Sequence, residues 1–465
     1  MTIPATVMKV LDEWHVPYSL TDDEEVFNLM QSNPPASYSS KVTNAIFLKD
    51  QHGKVQVVVP GNRILDLNRL EFVFGRHFTA LSADELQRLK QRHGIDQFPA
   101  LPQVTRMESM VDESLLKQEE LFIVSGAEHE WLKIPMEDFR NLISSSHTGN
   151  YTARLPQDIH GNDEEADLKD IHAAIQQFTP IRIQQRLEET LDLPPLPETA
   201  RKIIELRVDP NADTVTLAQA VELDPGMSAQ VVSWARSPYY GVRGEISTVE
   251  DAVLRVLGFD LVINLALGLA LGRTLSVPKE GPHGYAPFWQ QAVVTAALCG
   301  EITRLIPAKE RPSQGLAYLC GLLHNFGFLV LGHVFPPQFA LINRHIEANP
   351  HINRFYIERH LLGMTREQVS SCLMQQWRMP EELVTALRHQ HNSQYEGEHK
   401  EYARILYIAT RALRRHGFGD GPYETPEPWL LEDLNLTAEA VDDVTASVMS
   451  KMDDLDELVS LLNKP

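Results

Sequence analysis

The chain has few cysteines, and no pattern makes them chemical ligands. Only three occur among 465 residues, Cys299, Cys320 and Cys372, and none lies in a Cys-x-x-Cys or Cys/His zinc spacing. An odd number gives no disulfide framework, so we expect buried free thiols in a reducing cytoplasm. The sequence also lacks a Gly-x-Gly-x-x-Gly fingerprint, a P-loop and a Gly-x-Ser-x-Gly elbow. Their absence excludes the commonest nucleotide-binding and hydrolase signatures.

Positive charge is scarce as well. The chain carries 42 Lys and Arg against 63 Asp and Glu, a net charge of −21. This balance argues against broad binding to nucleic acids or anionic membranes. The N-terminus lacks the charged and apolar regions of a signal peptide. Residues 315–335 are long and apolar enough to span a bilayer, but they carry His324, Asn325 and His333 and predict a buried helix or helix pair. We expect a cytoplasmic protein without membrane contact.

What is present separates into regions by pattern. Residues 1–143 mix helical segments with β-rich runs. Runs at 45–48 and 55–59 flank one turn, and runs at 121–125 and 131–134 flank another. Two hairpins beside amphipathic helices predict an α+β domain with a mixed sheet.

The rest of the chain is predicted to be helical after a polar connection. Residues 144–168 suggest an exposed linker, and residues 169–192 a connecting helix. Helical periodicity without β-rich alternation predicts an all-α domain over 193–412. An acidic helical appendix follows at 413–465. N-caps or capping boxes predict helix starts at Asp213 or Thr214, and at Asp224, Ser247 and Thr365.

Several motifs of the helical region occur in a recognisable order. They are LPPLP at 193–197, DPGM at 224–227, ARSPYYG at 235–241, ISTVEDA at 246–252, LG at 257–258 and CGLLH at 320–324. Together they resemble the HDOD domains, the HD-related output domains of bacterial signalling proteins. The resemblance implies a helical fold related to metal-dependent HD phosphohydrolases. It also implies a role in protein interaction beside cyclic-dinucleotide or two-component circuits.

Related HD hydrolases hold metal with a first histidine, a His-Asp pair and later histidines. The resemblance places these positions at Gln291, His324, Asn325, Arg366, His389 and His391. An amide at Asn325 lacks the charge of a carboxylate, and Arg366 would repel a cation. We therefore predict no metal, no cofactor and no catalytic residue here. On their own, His324 and Asn325 suit hydrogen-bonded core positions, and Arg366 a solvated helix start. Binding of a small anion or nucleotide without turnover stays open.

Short motifs of the first region suggest a second family. They are AIFLKD at 45–50, VVPGN at 58–62, VDESL at 111–115 and IVSG at 123–126. They resemble the YbaK/ProX-like domains, which remove wrongly attached amino acids from tRNA. The family's substrate-holding lysine aligns with Asn44, and Lys41 lies three residues earlier. The family's glycine-rich loop is represented by Gly94 to Pro99, followed in the chain by Ser125 and Gly126.

These departures predict a closed or altered pocket in the first domain. Residues 1–150 hold 14 Lys and Arg against 21 Asp and Glu, so a tRNA-binding surface is not expected. The favoured hypothesis is a non-catalytic signalling protein, with a ligand or partner sensor before an HDOD output domain that binds other signalling proteins. The alternatives are an aminoacyl-tRNA deacylase with an accessory helical domain and, less favoured, a metal-dependent phosphodiesterase.

Overall fold

The computed structural model describes most of the chain, in a mixed α/β region followed by a helical one. The described residues are 3–23, 25–26, 39–157, 159, 164–178, 196–241, 244–272, 274–275, 277–278, 281–282, 286–419, 421–422 and 424–462. Each region has hydrophobic clusters of its own, the largest of which lies in the helical region. The predicted fold class, an α+β domain followed by an all-α domain, is confirmed.

The described part of the N-terminal domain contains short strands and helices in alternation. The strands are β1 (Ser19–Asp22), β2 (Thr43–Lys49), β3 (Lys54–Pro60), β4 (Arg63–Leu65), β5 (Thr79–Ala80), β6 (Glu108–Asp112), β7 (Glu120–Val124), β8 (Glu130–Pro135), β9 (His147–Gly149) and β10 (Thr152–Arg154). The helices are α1 (Ala5–Glu13), α2 (Leu67–Phe74), α3 (Ala83–His93), α4 (Pro102–Thr105) and α5 (Met136–Leu142).

A five-stranded sheet of order β5-β2-β3-β6-β9 forms the centre of this domain. β2 and β3 form an antiparallel hairpin, and β6 pairs with β3 in parallel. β3 is buried from Val55 to Pro60, as expected for a central strand covered on both faces. A three-stranded sheet, β1-β8-β7, contains the second antiparallel hairpin. Both predicted hairpins are therefore confirmed.

The expectation of an exposed linker over residues 144–168 is wrong for its first half. β9 pairs in parallel with β6, and β10 pairs with β4, so this segment completes the N-terminal sheets. Tyr151 is buried, and its backbone N–H donates to Asp112 Oδ2 at 2.9 Å. The strands are three residues long and largely polar, so they carry no alternating apolar pattern. Pairing with distant strands orders them instead.

The helical region begins with the connecting helix and continues to the C-terminus. Its helices are α6 (Glu164–Phe178), α7 (Glu198–Val208), α8 (Thr214–Glu222), α9 (Pro225–Arg236), α10 (Val249–Ala252), α11 (Phe259–Gly272), α12 (Phe288–Leu305), α13 (Gln314–Leu323), α14 (Phe326–Val334), α15 (Pro336–Glu347), α16 (Arg354–Leu362), α17 (Arg366–Gln376), α18 (Glu381–His389), α19 (Lys400–Arg414), α20 (Pro428–Asp433), α21 (Ala438–Met449) and α22 (Met452–Leu462). The predicted connecting helix at 169–192 corresponds to α6, which starts earlier; residues 179–195 lie outside the described ranges.

Local capping signals account for several helix starts. The predicted N-caps are confirmed at Asp213, Asp224 and Thr365. The prediction at Ser247 is wrong by one residue, because Thr248 is the N-cap and its Oγ1 accepts from Asp251 N. The Asp251 carboxylate in turn accepts from Ser247 N, so the side chain that closes the turn comes one residue later than the pattern predicted.

The long apolar run forms two helices in the core. The segment Gln314–Val334 is apolar enough to cross a membrane, but 94% of its most apolar stretch is buried inside the protein. It divides into α13 and α14 at His324 and Asn325, as expected for a core helix pair. At Gly321 an added Cβ would come within 2.6 Å of the Ala296 backbone, so a glycine lets α13 approach α12 closely.

The acidic C-terminal segment is part of the helical body. α21 and α22 both pack on α12. Val448, Leu455 and Leu458 are buried in the main hydrophobic cluster. The predicted helices are therefore present, and their apolar faces are covered by the same domain that precedes them.

Hydrogen bonds join the N-terminal domain to the helical region. Asn349, which follows α15, accepts from Leu65 N at 2.6 Å and donates to Leu65 O at 3.0 Å. His351 Nε2 lies 3.2 Å from Arg63 O, so the same loop contacts β4 twice. Arg344 on α15 forms an ion pair with Glu71 of α2. The Asn349 side-chain amide thus satisfies the buried N–H and C=O groups of Leu65 together. This loop therefore covers an edge of β4.

Candidate functional site

The predicted HD positions come from four places in the helical region. They are Gln291 on α12, His324 and Asn325 at the break between α13 and α14, Arg366 at the first turn of α17, and His389 and His391 at and just after the end of α18. At Gly327 an added Cβ would overlap the Arg366 carbonyl, so this glycine lets α14 pack against α17. That close approach brings Asn325 beside Arg366.

Arg366 is buried, and the expectation of a solvated helix start is wrong. The residue is 2% exposed, its Nε donates to Glu358 Oε1 at 2.5 Å, and its backbone N–H donates to Glu358 Oε2 at 3.0 Å. Its Nη1 donates to Asn325 Oδ1 at 2.8 Å. The guanidinium also lies over the ring of Phe328. The position that the resemblance assigns to a metal-binding histidine therefore carries a paired cation in this chain.

A second buried ion pair lies beside the first. Arg354 Nη2 is 2.6 Å from Glu367 Oε1, and Arg354 Nη1 is 3.5 Å from Glu358 Oε2. Burial opposes ionisation of Glu367, but Arg354 and His391 hold its pKa well below the usual range. The two arginines and two glutamates thus form one charged network between α16 and α17.

His391 is held by this network on both ring nitrogens. Nε2 is 3.4 Å from Glu367 Oε1, and Nδ1 is 3.2 Å from Arg411 Nη1. Nε2 also lies 3.3 Å from Arg354 Nη2, so each ring nitrogen faces a guanidinium donor. Burial, with a smaller contribution from Arg354 and Arg411, lowers the pKa of His391 to about 3. The imidazole is therefore neutral at pH 7, and both of its nitrogens have partners in the network.

The structure brings together most, but not all, of the predicted HD positions. Gln291, His324 and His391 line one small pocket with Gln390. Asn325 and Arg366 are paired next to it. His389 instead stacks on Tyr395, with the ring centroids 3.9 Å apart. The network residues that the sequence did not identify are Arg354, Glu358, Glu367, Gln390 and Arg411.

A divalent metal does not fit this set of side chains. Gln291 Nε2 donates to Ala286 O at 2.7 Å, and the two His391 nitrogens face the guanidinium groups of Arg354 and Arg411. The Asn325 oxygen accepts from a guanidinium, which places a positive charge where a metal would need an anionic ligand. The described residues do contain one group that could bind metal, Glu381, Glu398 and His399, but it is far from enclosed and its two carboxylates are exposed.

In the N-terminal domain, the lysine near the expected substrate position is used in ion pairs. Lys41 Nζ is 3.3 Å from Glu120 Oε1, and Lys133 Nζ is 3.1 Å from Glu120 Oε2. Asn44 lies on β2, opposite Val59 of β3. The two candidate positions are therefore on the same stretch of chain, and the cation of Lys41 points to a carboxylate of β7.

The loop glycines of this domain are packed against its N-terminal helix. Gly126 has φ 97°, and an added Cβ would come within 3.3 Å of Pro4, Val7 and Ile95. Its carbonyl accepts from Asp96 N at 2.8 Å, which joins it to the loop that begins at Gly94. Residues before and within α1 thus occupy the space in front of Gly126.

The other positions of that loop are also structural. Ser125 is fully buried, and its Oγ accepts from Ala127 N at 3.2 Å. Pro99 is buried, and Gly94 ends α3 in the left-handed conformation. An open polar cleft of about 360 Å³ lies beside Gly94, with Lys90 on one side and Asp96 and Glu128 on the other.

Comparison with known families agrees with this division of the chain. The HDOD domain profile matches residues 193–393, and the aminoacyl-tRNA editing domain profile matches residues 35–142. A crystal structure of a candidate signal transduction protein from Marinobacter aquaeolei VT8 is 38% identical over 100% of both chains, with a TM-score of 0.90. The chain belongs to the HDOD family. It carries an aminoacyl-tRNA editing domain at its N-terminus.

More distant relatives of this HDOD protein are less informative. An HDOD domain protein of unknown function from Geobacter sulfurreducens is 19% identical, covers 64% of this chain and 99% of its own, and has a TM-score of 0.48. An uncharacterized protein from Treponema pallidum (strain Nichols) is 24% identical over 253 residues. That alignment spans 53% of this chain and 47% of the Treponema protein, about half of each.

Proposed function

We propose that this HDOD protein transmits signals without catalytic turnover, in a bacterial cytoplasm. In this proposal the helical domain binds other signalling proteins, and the editing-type domain senses a small ligand or a partner. The observation that carries it is the hydrogen bond from Arg366 to Asn325, inside a buried ion-pair network. A chain with a paired guanidinium at the predicted metal position keeps the packing of the fold. It lacks the bound metal ion that would act as the Lewis acid.

The contacts of the connecting helix α6 support a signalling role. On α6, Asp167 forms two hydrogen bonds with Arg388, at 2.5 and 2.8 Å, and accepts from Gln368 Nε2 at 2.6 Å. Gln368 also closes the capping box of α17, two residues after Arg366. One helical turn therefore contacts both the connecting helix and the former HD site.

The same elements reach the N-terminal domain. α16 carries Arg354 at one end, and near its other end Arg359 contacts Asp170 at 2.5 Å and His360 contacts Asp66 at 3.4 Å. A ligand would shift the arrangement of these elements only if it bound two arrangements with unequal affinity. The polar cleft beside Gly94 offers both charge signs, Lys90 against Asp96 and Glu128, which suits the carboxylate and ammonium of a free amino acid.

Affinity capture tests the output role of the helical domain. The tagged full-length chain is compared with a chain that lacks residues 193–412, and the proteins retained by each are identified. We expect a partner that is retained only by the full-length chain. A partner retained equally after the deletion would contradict the helical domain as the output surface.

The second candidate function is hydrolysis of mischarged aminoacyl-tRNA. The match of residues 35–142 to an aminoacyl-tRNA editing domain favours it, and Lys41 lies close to the expected lysine position. A panel of mischarged tRNAs is incubated with the intact protein, Lys41→Ala and Asn44→Lys. We expect no turnover by the intact protein. Turnover that disappears in Lys41→Ala would replace the signalling proposal for this domain.

A further inference from the structure

The polar cleft of the N-terminal domain is lined by one face of α3 and by residues of two neighbouring loops. Gln87, Lys90, Gln91 and Gly94 come from α3 and its C-terminal cap, and their spacings of three and four residues place them on one side of the helix. The volume of about 360 Å³ lies at the lower end of the range for small-molecule sites. The cleft therefore has room for one small molecule.

Backbone hydrogen bonds fix the acidic residues of the cleft. The N–H group of Asp96 donates to Gly126 O at 2.8 Å, which ties the loop after α3 to the turn between β7 and β8. Ser125 N donates to Glu130 O at 2.9 Å and closes that turn. Glu128 lies within the turn, so Asp96 and Glu128 line the same cleft although they are distant in the sequence.

Negative charge exceeds positive charge by one in the lining of the cleft. The charged side chains are one ammonium, Lys90, and two carboxylates, Asp96 and Glu128. None of the three forms an ion pair with another residue of the described part of the chain, whereas His129, next to Glu128, is paired with Asp23. A ligand with one anionic and two cationic groups would therefore give each of these three side chains a partner of opposite charge.

The end of α3 adds to the preference for a cation. Gly94 is the C-cap of this helix, and no atom lies within 4 Å of a Cβ added there, so the cleft is open beside the last turn. The backbone carbonyl groups at a helix C-terminus carry partial negative charge, which favours a positive group nearby.

We propose that this cleft binds a free amino acid with a cationic side chain, such as arginine or lysine. Lys90 contacts the α-carboxylate, and Asp96 and Glu128 contact the α-ammonium and the side-chain cation. A neutral amino acid would leave one carboxylate without a partner, and an acidic one would add a like charge. This inference rests on the proposal that the editing-type domain senses a small ligand, and it adds the charge of the ligand's side chain.

Calorimetric titration of the full-length chain with two matched pairs of amino acids tests this inference. Arginine is compared with its neutral analogue citrulline, and lysine with norleucine. We expect saturable binding of at least one cationic amino acid, at least about fivefold tighter than its neutral analogue, because the analogue loses a charge-assisted hydrogen bond. Equal or tighter binding of the neutral analogue in both pairs would overturn the preference for a cation but leave an amino acid as the ligand. No saturable binding of any of the four would overturn both.

The α-carboxylate is tested with the decarboxylated form of the amino acid that binds, agmatine for arginine or cadaverine for lysine. The amine should bind at least about fivefold more weakly, because Lys90 then has no anionic partner. Equal binding of the amine would show that the ligand is not recognised as an amino acid.

Two exposed glutamates provide a matched pair of variants. Glu128→Gln removes a carboxylate from the cleft and should weaken binding of the cationic amino acid by about fivefold. Glu137→Gln, on α5 and outside the cleft, removes the same charge from the same domain and should leave the affinity within about twofold. Equal effects of the two variants would contradict a direct contact with Glu128.

Discussion

The two domains fill the positions assigned by family resemblance in different ways. In the helical domain the assigned position Arg366 lies in a buried charged network, with Arg366 and Arg354 paired to Glu358 and Glu367. In the N-terminal domain Pro4 and Val7 pack against the assigned position Gly126. The charged network keeps the interior of the helical domain polar, whereas apolar packing fills the space in front of Gly126. In the N-terminal domain we therefore expect a ligand in the polar cleft beside Gly94 and not in front of Gly126.

Removal of the central arginine should have the largest effect. Arg366→Ala leaves Glu358 fully buried beside Arg354 alone, and should lower the free energy of unfolding by about 3 to 5 kcal/mol. Urea denaturation measures the change. Arg304→Ala, which breaks an exposed pair with Glu301, should change it by less than about 0.5 kcal/mol.

A double variant separates loss of charge from loss of packing. Arg366→Met combined with Glu358→Gln removes both charges and keeps most of the volume, so it should be more stable than Arg366→Ala. A double variant that is no more stable than Arg366→Ala would show that the broken ion pair is not the reason why Arg366→Ala loses stability.

Loss of the Asn349 contact between the two domains should have the next largest effect on stability. Asn349→Ala removes the side-chain partners of the Leu65 N–H and C=O groups. It should lower the free energy of unfolding by about 2 to 3 kcal/mol. Hydrogen exchange at the Leu65 amide should accelerate. The exposed Asn211→Ala serves as the control, because its side chain contacts only Asp209. Unchanged exchange at Leu65 would mean that the domains do not depend on this contact.

A pair of glycines tests how the N-terminal pocket is closed. Gly126 and Gly94 both have positive φ, but only Gly126 has neighbours within 4 Å of an added Cβ. Gly94→Ala should therefore lower the free energy of unfolding by about 1 kcal/mol, because only the backbone conformation is strained. Gly126→Ala should lower it by about 1 to 3 kcal/mol more, because α1 must also move. Thermal unfolding measures both. Equal costs would show that α1 does not press on this position.

The pH dependence of stability should report on the contact of His351 with β4, where the two domains meet. Burial lowers the pKa of His351 to about 4, against 6.5 for a free imidazole. The unfolded chain therefore binds a proton at this histidine more readily than the folded chain does. The stabilising contribution of neutral His351 is complete above about pH 6.5 and is lost as the pH is lowered toward 4. We expect a loss of about 1 to 2 kcal/mol from this residue between pH 7 and pH 5. His351→Gln should reduce that dependence, since the amide still donates to Arg63 O but does not titrate.

The fold was more predictable than the site. Both hairpins and most helix caps follow from local patterns, such as the reciprocal capping box of Thr365 and Gln368. Family resemblance assigned Gln291, His324 and His391 to one site, and these three residues line one small pocket. The burial of Arg366 and Glu358 was not predictable, because a charged residue on a short helix gives the same local pattern whether it faces solvent or a partner eight residues away.

Strands β9 and β10 illustrate the same limit in the other domain. Their polar residues carry no periodic signal, and they are ordered by pairing with β6 and β4, at least 35 residues away in the chain. The Asn349 contact spans 284 residues. Interactions that depend on such distant partners cannot be obtained from local sequence alone.

Metal content tests the central claim most directly. The full-length chain and His324→Ala are expressed with added manganese and iron, purified without chelator, and measured by mass spectrometry of the elements. The account predicts less than about one ion per ten chains in both proteins, because Arg366 occupies the cationic position. Close to one ion per chain in the wild type, lost in His324→Ala, would contradict it and favour the alternative of a metal-dependent phosphodiesterase.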